Sequence, residues 1–387
     1  MAIPLKYNIG NLTSRKVSTL MTILGIGVVI AVMISMLALY NGVNTAIVSS
    51  GSKENLMVLR EGALTEGTSF VSREAYRIIR GLPGIEKAKD GEPLVSPETV
   101  ILFKLPKKDD PTGSNINVRG VTPKAFEVRP YIKLVDGRMF RPGMNEAIVS
   151  KRVQGRFANV EVGDSFSFGP QEWHIVGAFD GKRTSFDSEM WTDVDYLGLA
   201  NNRDAYSSMV LRPVDATAFQ ALTDAIKNDN RLKLQVKTEH KYYAEQVQGL
   251  LGIVILVAFV TFFMVIGAIL GTMNSMFSAV ASRGRELATL RALGFKRRAI
   301  LLTIIIEAAF ISLLGGIAGV LLSLPVNGIS TGTTNFQTFS EVAFNFRVSP
   351  GLALFALALA VFAGVVGGLI PAISAARLPI TRALREI

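Results

Sequence analysis

The chain of 387 residues has no cysteine, two histidines and two tryptophans. Without cysteine it can form neither a disulfide nor a thiolate metal site. His174 and His240 lie far apart, so a zinc site would lack ligands and no metal is expected. His174 sits in the run Trp173-His174-Ile175-Val176 and reads as an ordinary strand residue. No G-x-x-x-x-G-K-[ST] occurs. Gly181-Lys182-Arg183 lacks both the hydroxyl residue and the upstream glycine, so the chain cannot cradle ATP phosphates in a P-loop. H-E-x-x-H and G-x-S-x-G are missing as well. Asp109-Asp110 lies in a Lys/Pro-rich loop and reads as a solvated turn. No catalytic residue and no cofactor of the chain's own are expected.

Charge is missing from four long stretches. Residues 17–52, 246–282 and 348–376 have none, and 299–340 has only Glu307. Each holds the ~20 apolar residues that span a bilayer. The apolar core at 17–40 is too long for a cleaved signal peptide and no clear cleavage site follows, so it reads as an anchor.

The net charge of +10 would suit a nucleic-acid binder, but its distribution does not. Lys6, Arg15 and Lys16 precede the first span, a short basic stretch lies between the second and third, and Arg377, Arg382 and Arg385 follow the fourth. Anionic lipid and the positive-inside rule account for cations placed this way. They predict a multi-pass membrane protein with both termini cytosolic and no nucleic-acid partner.

The fold expected is therefore an α-helical membrane protein with four transmembrane helices and a large extracytoplasmic α+β domain between helices 1 and 2. The divisions are 1–16 (cytosolic N-terminus), 17–51 (helix 1 and stalk), 52–245 (extracytoplasmic domain), 246–282 (stalk and helix 2), 283–298 (basic cytosolic helix), 299–325 (helix 3), 326–349 (external loop), 350–373 (helix 4) and 374–387 (cytosolic C-terminus). A stalk is inferred because 36 helical residues reach ~54 Å against ~30 Å of hydrocarbon; fraying at residues 48–52 is the alternative.

The extracytoplasmic domain carries a similar pattern at its two ends. A strand at 55–59, a helix capped by Ser72 and stopped by Gly81 and Pro83, and a strand from Ile85 come first. A strand at 208–211, a helix capped by Asp215 and a strand at 232–236 come last. Together they suggest a split βαβ lobe. Between them, about 106–204, lies a β-rich insertion with a hairpin over 163–177.

The basic stretch has six cationic residues and one acidic, from Arg283 to Arg298. Leu287, Leu290, Ala292, Leu293 and Phe295 recur at roughly helical spacing among Arg283, Arg285, Glu286 and Arg291, and Gly294 permits a turn. A topology clamp needs no apolar stripe, so the pattern favours an amphipathic helix that docks on a partner. Glu307 is an intramembrane polar residue within reach of an Arg near the inner interface, either as a tie between helices or as part of a moving mechanism. Gly315, Gly316 and Gly319, with Gly364 and Gly368, permit close helix approach, within the chain or between subunits.

Residues 285–294, Arg297-Arg298-Ala299-Ile300, Glu307-Ala308, Gly315-Gly316-Ile317-Ala318-Gly319 and the ending from Pro371 to Arg385 resemble the C-terminal half of FtsX-like, MacB-type ABC transporter permeases. Gly137-Arg138-Met139-Phe140 and Asn145-Glu146-Ala147-Ile148-Val149 are similar to that family's periplasmic core domain. The resemblance implies a non-catalytic permease subunit of the bacterial cytoplasmic (inner) membrane, paired with a second copy or a homologue. The basic stretch becomes its ATPase-coupling helix. ATP and Mg would be bound by an ABC ATPase expected on a separate polypeptide, and ATP-driven motion would reach the extracytoplasmic domain with or without a periplasmic adaptor protein. Export or extraction of a substrate by such mechanotransmission is the leading reading. Alternatives are an FtsX-like regulator that activates a cell-wall hydrolase without moving cargo, and a receptor or scaffold without ATPase.

Overall fold

The computed structural model describes residues 16–378 apart from 169–170, 249–250 and 336. They divide into a four-helix unit (residues up to 41, 253–329 and from 346) and a sheet unit (42–252 and 330–345).

Helix α1, Lys16–Val48, begins in the first unit and ends in the second. In the sheet unit β1 (Leu56–Arg60), β2 (Val71–Ser72) and α2 (Arg73–Arg80) come first. Ser72 caps α2 as the sequence predicts, its Oγ accepting from Ala75 N at 3.0 Å, and Gly81 ends the helix. The strand expected from Ile85 is absent. Ile85 makes only an isolated bridge to Pro213, and the true strand, β3, spans Val95–Leu105. The physical reason is the turn at Gly91, with φ +80°, which separates the short Ile85 bridge from the longer ladder.

Strand β3 belongs to two lobes at once. Its residues Val95–Glu98 pair with β11 (Ser208–Leu211), and Thr99–Leu105 pair with β4 (Ser114–Val121). Beyond β4 come α3 (Ala125–Val128), β5 (Lys133–Gly137), β6 (Glu146–Ser150), α4 (Lys151–Arg156), β7 (Ser165–Phe168), β8 (Gln171–Asp180), β9 (Glu189–Asp193), α5 (Val194–Ala200) and β10 (Ala205–Tyr206). The predicted hairpin is β7–β8, and His174 on β8 shares a 2.7 Å hydrogen bond with Ser165 Oγ. After β11, α6 (Ala216–Asn228) starts at Asp215, whose Oδ1 accepts from Ala218 N at 2.7 Å, and β12 (Leu234–Thr238) follows. Strands β11 and β12 both run antiparallel to β1 between them, so β11–α6–β12 is a split βαβ unit. One sheet runs β12-β1-β11-β3-β4-β9-β6-β8-β5, with β7 on β8. Each lobe has its own core. One gathers Leu56, Ile79, Met209, Leu222 and Ile226; the other gathers Val118, Val149, Trp173, Met190 and Leu197.

Helix α7 (Glu239–Gln248) precedes α8 (Leu251–Ala281). The four-helix unit continues through α9 (Gly284–Ala292) and α10 (Arg297–Ser323) and ends with α11 (Pro350–Arg377). Among the described residues, four helical spans are long and apolar enough to cross a membrane: Thr19–Val48, Val254–Ala281, Arg297–Val326 and Pro350–Arg377.

The segment 326–349, expected as an external loop, holds strands β13 (Ser330–Thr334) and β14 (Glu341–Asn345). This hairpin belongs to the sheet unit. Glu341 pairs with Lys107 Nζ at 2.7 Å and with Arg156, Arg152 Nη2 donates to Asn345 Oδ1 at 2.6 Å, and Ala343 N donates to Ser188 Oγ at 2.7 Å. Its partners lie more than 150 residues away, so no local signal marks it.

Candidate functional site

The basic stretch is not one helix over 283–298. Helix α9 has nine residues and closes at Leu293, whose N–H donates to Thr289 O. Gly294 then takes φ +93°, the left-handed region that a side chain resists. Lys296 is extended and caps α10, so Arg297 and Arg298 stand in the first turn of the next helix. Cations there oppose the helix dipole and do not stabilise the start of α10.

The expected docking residues divide into two sets. Leu287, 4% exposed, lies in the core of the four-helix unit with Met276, Val280, Ile300 and Ile304, so it is not available to a partner. Arg283 Nη1 lies 3.0 Å from both oxygens of Glu307, with the side chains 11% and 6% exposed. Arg291 Nη1 donates to Leu378 O at 2.9 Å and to Ala376 O at 3.4 Å, completing the last turn of α11. These three hold α9 to α10 and α11. Facing outward are Arg285, Glu286 and Leu293, the last 70% exposed, with Leu290 half-buried.

The glycines pack within the chain. A Cβ on Gly315 would lie 2.8 Å from Ile26, and one on Gly319 would meet Gly27 O and Ile30 at 2.7 Å. A Cβ on Gly316 would lie 3.0 Å from that of Ala360; Gly364 and Gly368 close on Ser312 and Ala308 in the same way.

A second constellation, in the sheet unit, was not read from the sequence. Arg119 on β4 and Arg129 just after α3 are fully buried among four carboxylates. Arg119 Nε reaches Glu189 at 2.7 Å, and Nη1 reaches Glu66 and Glu98 at 2.7 Å each. Arg129 Nε reaches Glu239, the first residue of α7, at 2.8 Å, and its Nη1 also binds Glu98. The Phe186 ring lies 4.7 Å from the Arg129 guanidinium and 5.3 Å from that of Arg119. Burial pushes the Glu98 carboxyl up, but Arg129 and Arg119 outweigh it and hold Glu98 below the ordinary carboxylate range. Burial likewise opposes the charge on both guanidiniums, and the carboxylates reverse that effect. Glu239 Oε2 also accepts from Ser52 N at 3.1 Å and Asn55 Nδ2 at 2.8 Å. A Cβ on Gly51 would lie 2.5 Å from the Glu239 carbonyl, so the chain after α1 and the start of α7 are in direct contact. The network thus joins this contact to both lobes. Sequence gives little signal for it: in Ile116-Asn117-Val118-Arg119-Gly120-Val121 the arginine takes a polar position of the alternation, which reads as outward-facing.

Among the described residues, no group of three or more His, Asp or Glu could hold a metal ion.

The family model for the MacB-like periplasmic core domain matches residues 19–229, and that for the FtsX-like permease C-terminal region matches 258–380. The chain is 24% identical to "Macrolide export ATP-binding/permease protein MacB" of Bordetella avium over 97% of its own length and 59% of the relative's. It is 26% identical to the Agrobacterium fabrum protein of the same name over 96% and 58%. The chain therefore spans about three-fifths of the length of these relatives. Among solved structures, the periplasmic region of MacB from Actinobacillus actinomycetemcomitans covers 50% of this chain and 92% of its own, at 14% identity and TM-score 0.39.

Proposed function

This chain belongs to the ABC transporter permease family that joins a MacB-like periplasmic core domain to an FtsX-like C-terminal half, and from that premise we propose that it couples ATP hydrolysis by a separate ATPase subunit to motion of its sheet unit, for export or extraction of a substrate. The chain itself is the non-catalytic subunit. ATP and Mg are held by the partner ATPase, which contributes the P-loop this sequence lacks. The observation that carries the reading is the dual character of α9. Arg283–Glu307 and Arg291–Leu378 fasten it to α10 and α11, while Leu293 stands outward as an apolar anchor for another protein. An adaptor protein on the sheet unit remains compatible with this reading.

The basic segments support an orientation with Gly284 in the cytosol and the sheet unit outside the bacterial cytoplasmic membrane. Reporter fusions at Pro111 and Gly332 are expected to be external, and one at Gly284 internal. An external signal at Gly284 would refute the arrangement.

A second permease copy, or a homologue, has a candidate seat on α8. Asn274 is exposed on this mostly apolar helix, and Gly267 and Gly271 have open space where a Cβ would be; together with Ser275 and Ser278 they line a groove that Thr22 and Gly25 of α1 border on the other side. An exposed amide and open glycines on a membrane span leave room for a second helix to seat in this groove. Because the chain has no cysteine, Asn274→Cys adds a single thiol, and oxidative cross-linking in membranes should give a product of twice the chain mass. Only monomer, with the permease assembled on its ATPase, would place the second copy elsewhere.

A further inference from the structure

The sheet unit contains a cavity of about 490 Å³, within the usual range of small-molecule sites. Glu66, Arg119 and Glu189 of the ion network line it, with Tyr243 and Gln246 of α7 and Leu102 of β3. Nothing in the coupling function uses it.

Three features define what it would hold. The first is charge. Glu66, Glu98, Glu189 and Glu239 surround Arg119 and Arg129, four buried carboxylates against two guanidiniums. All five N–H groups of Arg119 point to carboxylate oxygens of Glu66, Glu98 and Glu189. The network therefore carries surplus negative charge in a site poorly screened by water, and two of its carboxylates border the cavity. Arg203 also lines the cavity and donates to neutral acceptors, the carbonyls of Val100 and Gly67 and Ser207 Oγ, so its charge offsets one of the two surplus negative charges; Glu341 pairs with the partly solvated Lys107 and Arg156.

The second is an unmet hydrogen bond. Tyr243, 3% exposed, has a buried hydroxyl with no partner, whereas the neighbouring Tyr242 hydroxyl accepts from Glu66 N at 3.1 Å. A buried hydroxyl left unpaired is costly and marks a place for a polar group. The third is the apolar remainder, including Ile47, Val100, Leu102 and Val342, which suits a carbon skeleton and not a bare ion.

We infer that this cavity binds a small amphipathic organic cation, its ammonium set against Glu66, Glu189 and the Tyr243 hydroxyl and its apolar body along Val100, Leu102 and Val342. The inference does not depend on which ATPase docks on α9. The cavity is bordered by α7, by the loop and strand of the β13–β14 hairpin and by the ion network, so an occupant would touch elements of both lobes.

The test uses the full chain in lipid nanodiscs and three probes with the same body: 3-phenylpropylamine, 3-phenylpropanol and 3-phenylpropionate. Saturation-transfer NMR and calorimetric titration are referenced to empty nanodiscs. The amine is expected to bind at least about tenfold more tightly than the alcohol, a difference of ~1.4 kcal/mol, and the acid not measurably. Glu66→Gln disturbs the ion network and could unfold the unit, so Leu102→Trp is the key variant. Leu102 is 41% exposed, and an indole there fills the cavity without entering either core. It should weaken amine binding about tenfold or more, and Tyr243→Phe should weaken it less. Equal affinity for the three probes, no binding, or amine binding unchanged in Leu102→Trp would each overturn the proposal.

Discussion

Arg129→Met is expected to destabilise the sheet unit by about 3–5 kcal/mol, the usual loss when one partner of a buried ion pair is removed. Glu239 loses its only guanidinium and Glu98 keeps only Arg119. Methionine fills much of the space but cannot answer either charge. Arg80→Met is the control. Arg80 pairs with Glu92, both side chains being exposed, so its loss should be within about 1 kcal/mol. Unfolding can be followed in the whole chain, because its two tryptophans, Trp173 and Trp191, are both buried in the sheet unit. Trp191 Nε1 donates to Glu189 Oε2 at 2.9 Å and so reports on the network itself. Adding Glu239→Gln to Arg129→Met should recover part of the loss, since the orphaned charge goes with it. Acid gives an independent check. The carboxyl of Glu98 is held below its unfolded value, so its contribution is complete above about pH 4.3 and fades as pH falls toward and through the folded value. That acid limb should be shallower in Arg129→Met. Equal stability of Arg129→Met and Arg80→Met would mean the network holds nothing together.

What the sequence makes legible here is local. Ser72 and Asp215 announce helix starts because a cap bonds to a backbone three residues away. The β7–β8 hairpin is visible because its alternation and its turn lie within one short window. The four spans are visible because hydrocarbon tolerates so few charges. What escapes is set by distant partners. Strand β3 changes neighbour between Glu98 and Thr99, and neither β4 nor β11 can be inferred from β3 alone. The β13–β14 hairpin looks like a polar loop until Lys107 and Arg156 meet Glu341. Within the candidate site, reach predicted that Glu307 could find an arginine, and Arg283 is the one it finds. Periodicity could not tell which side of α9 faces its own chain, because Leu287 and Leu293 are equally apolar. Packing against Met276, Val280 and Ile304 separates them.

That separation permits a sharper test of coupling. Leu293→Asp should leave the four-helix unit folded, because the side chain is 70% exposed, and should abolish capture of the ATPase. A carboxylate carried unpaired into an apolar groove costs several kcal/mol, and each ~1.4 kcal/mol is about tenfold in affinity. Co-purification of a co-expressed ATPase should therefore fall at least about a hundredfold. Leu290→Asp, half-buried, should follow it, with some loss of folded protein. Leu287→Asp should fail differently, by loss of folded protein from the membrane, since its charge would enter the helical core. Arg291→Ala separates docking from transmission. It leaves the outward face intact but frees the end of α11, where Arg291 now binds the carbonyls of Leu378 and Ala376. The ATPase should still co-purify with this variant, while stimulation of its turnover by the permease is lost. Arg297→Ala, at the start of α10 and exposed, should change neither. If Leu293→Asp retains wild-type association and turnover, α9 only fixes topology, and the contact that drives the permease must lie on another cytosolic segment.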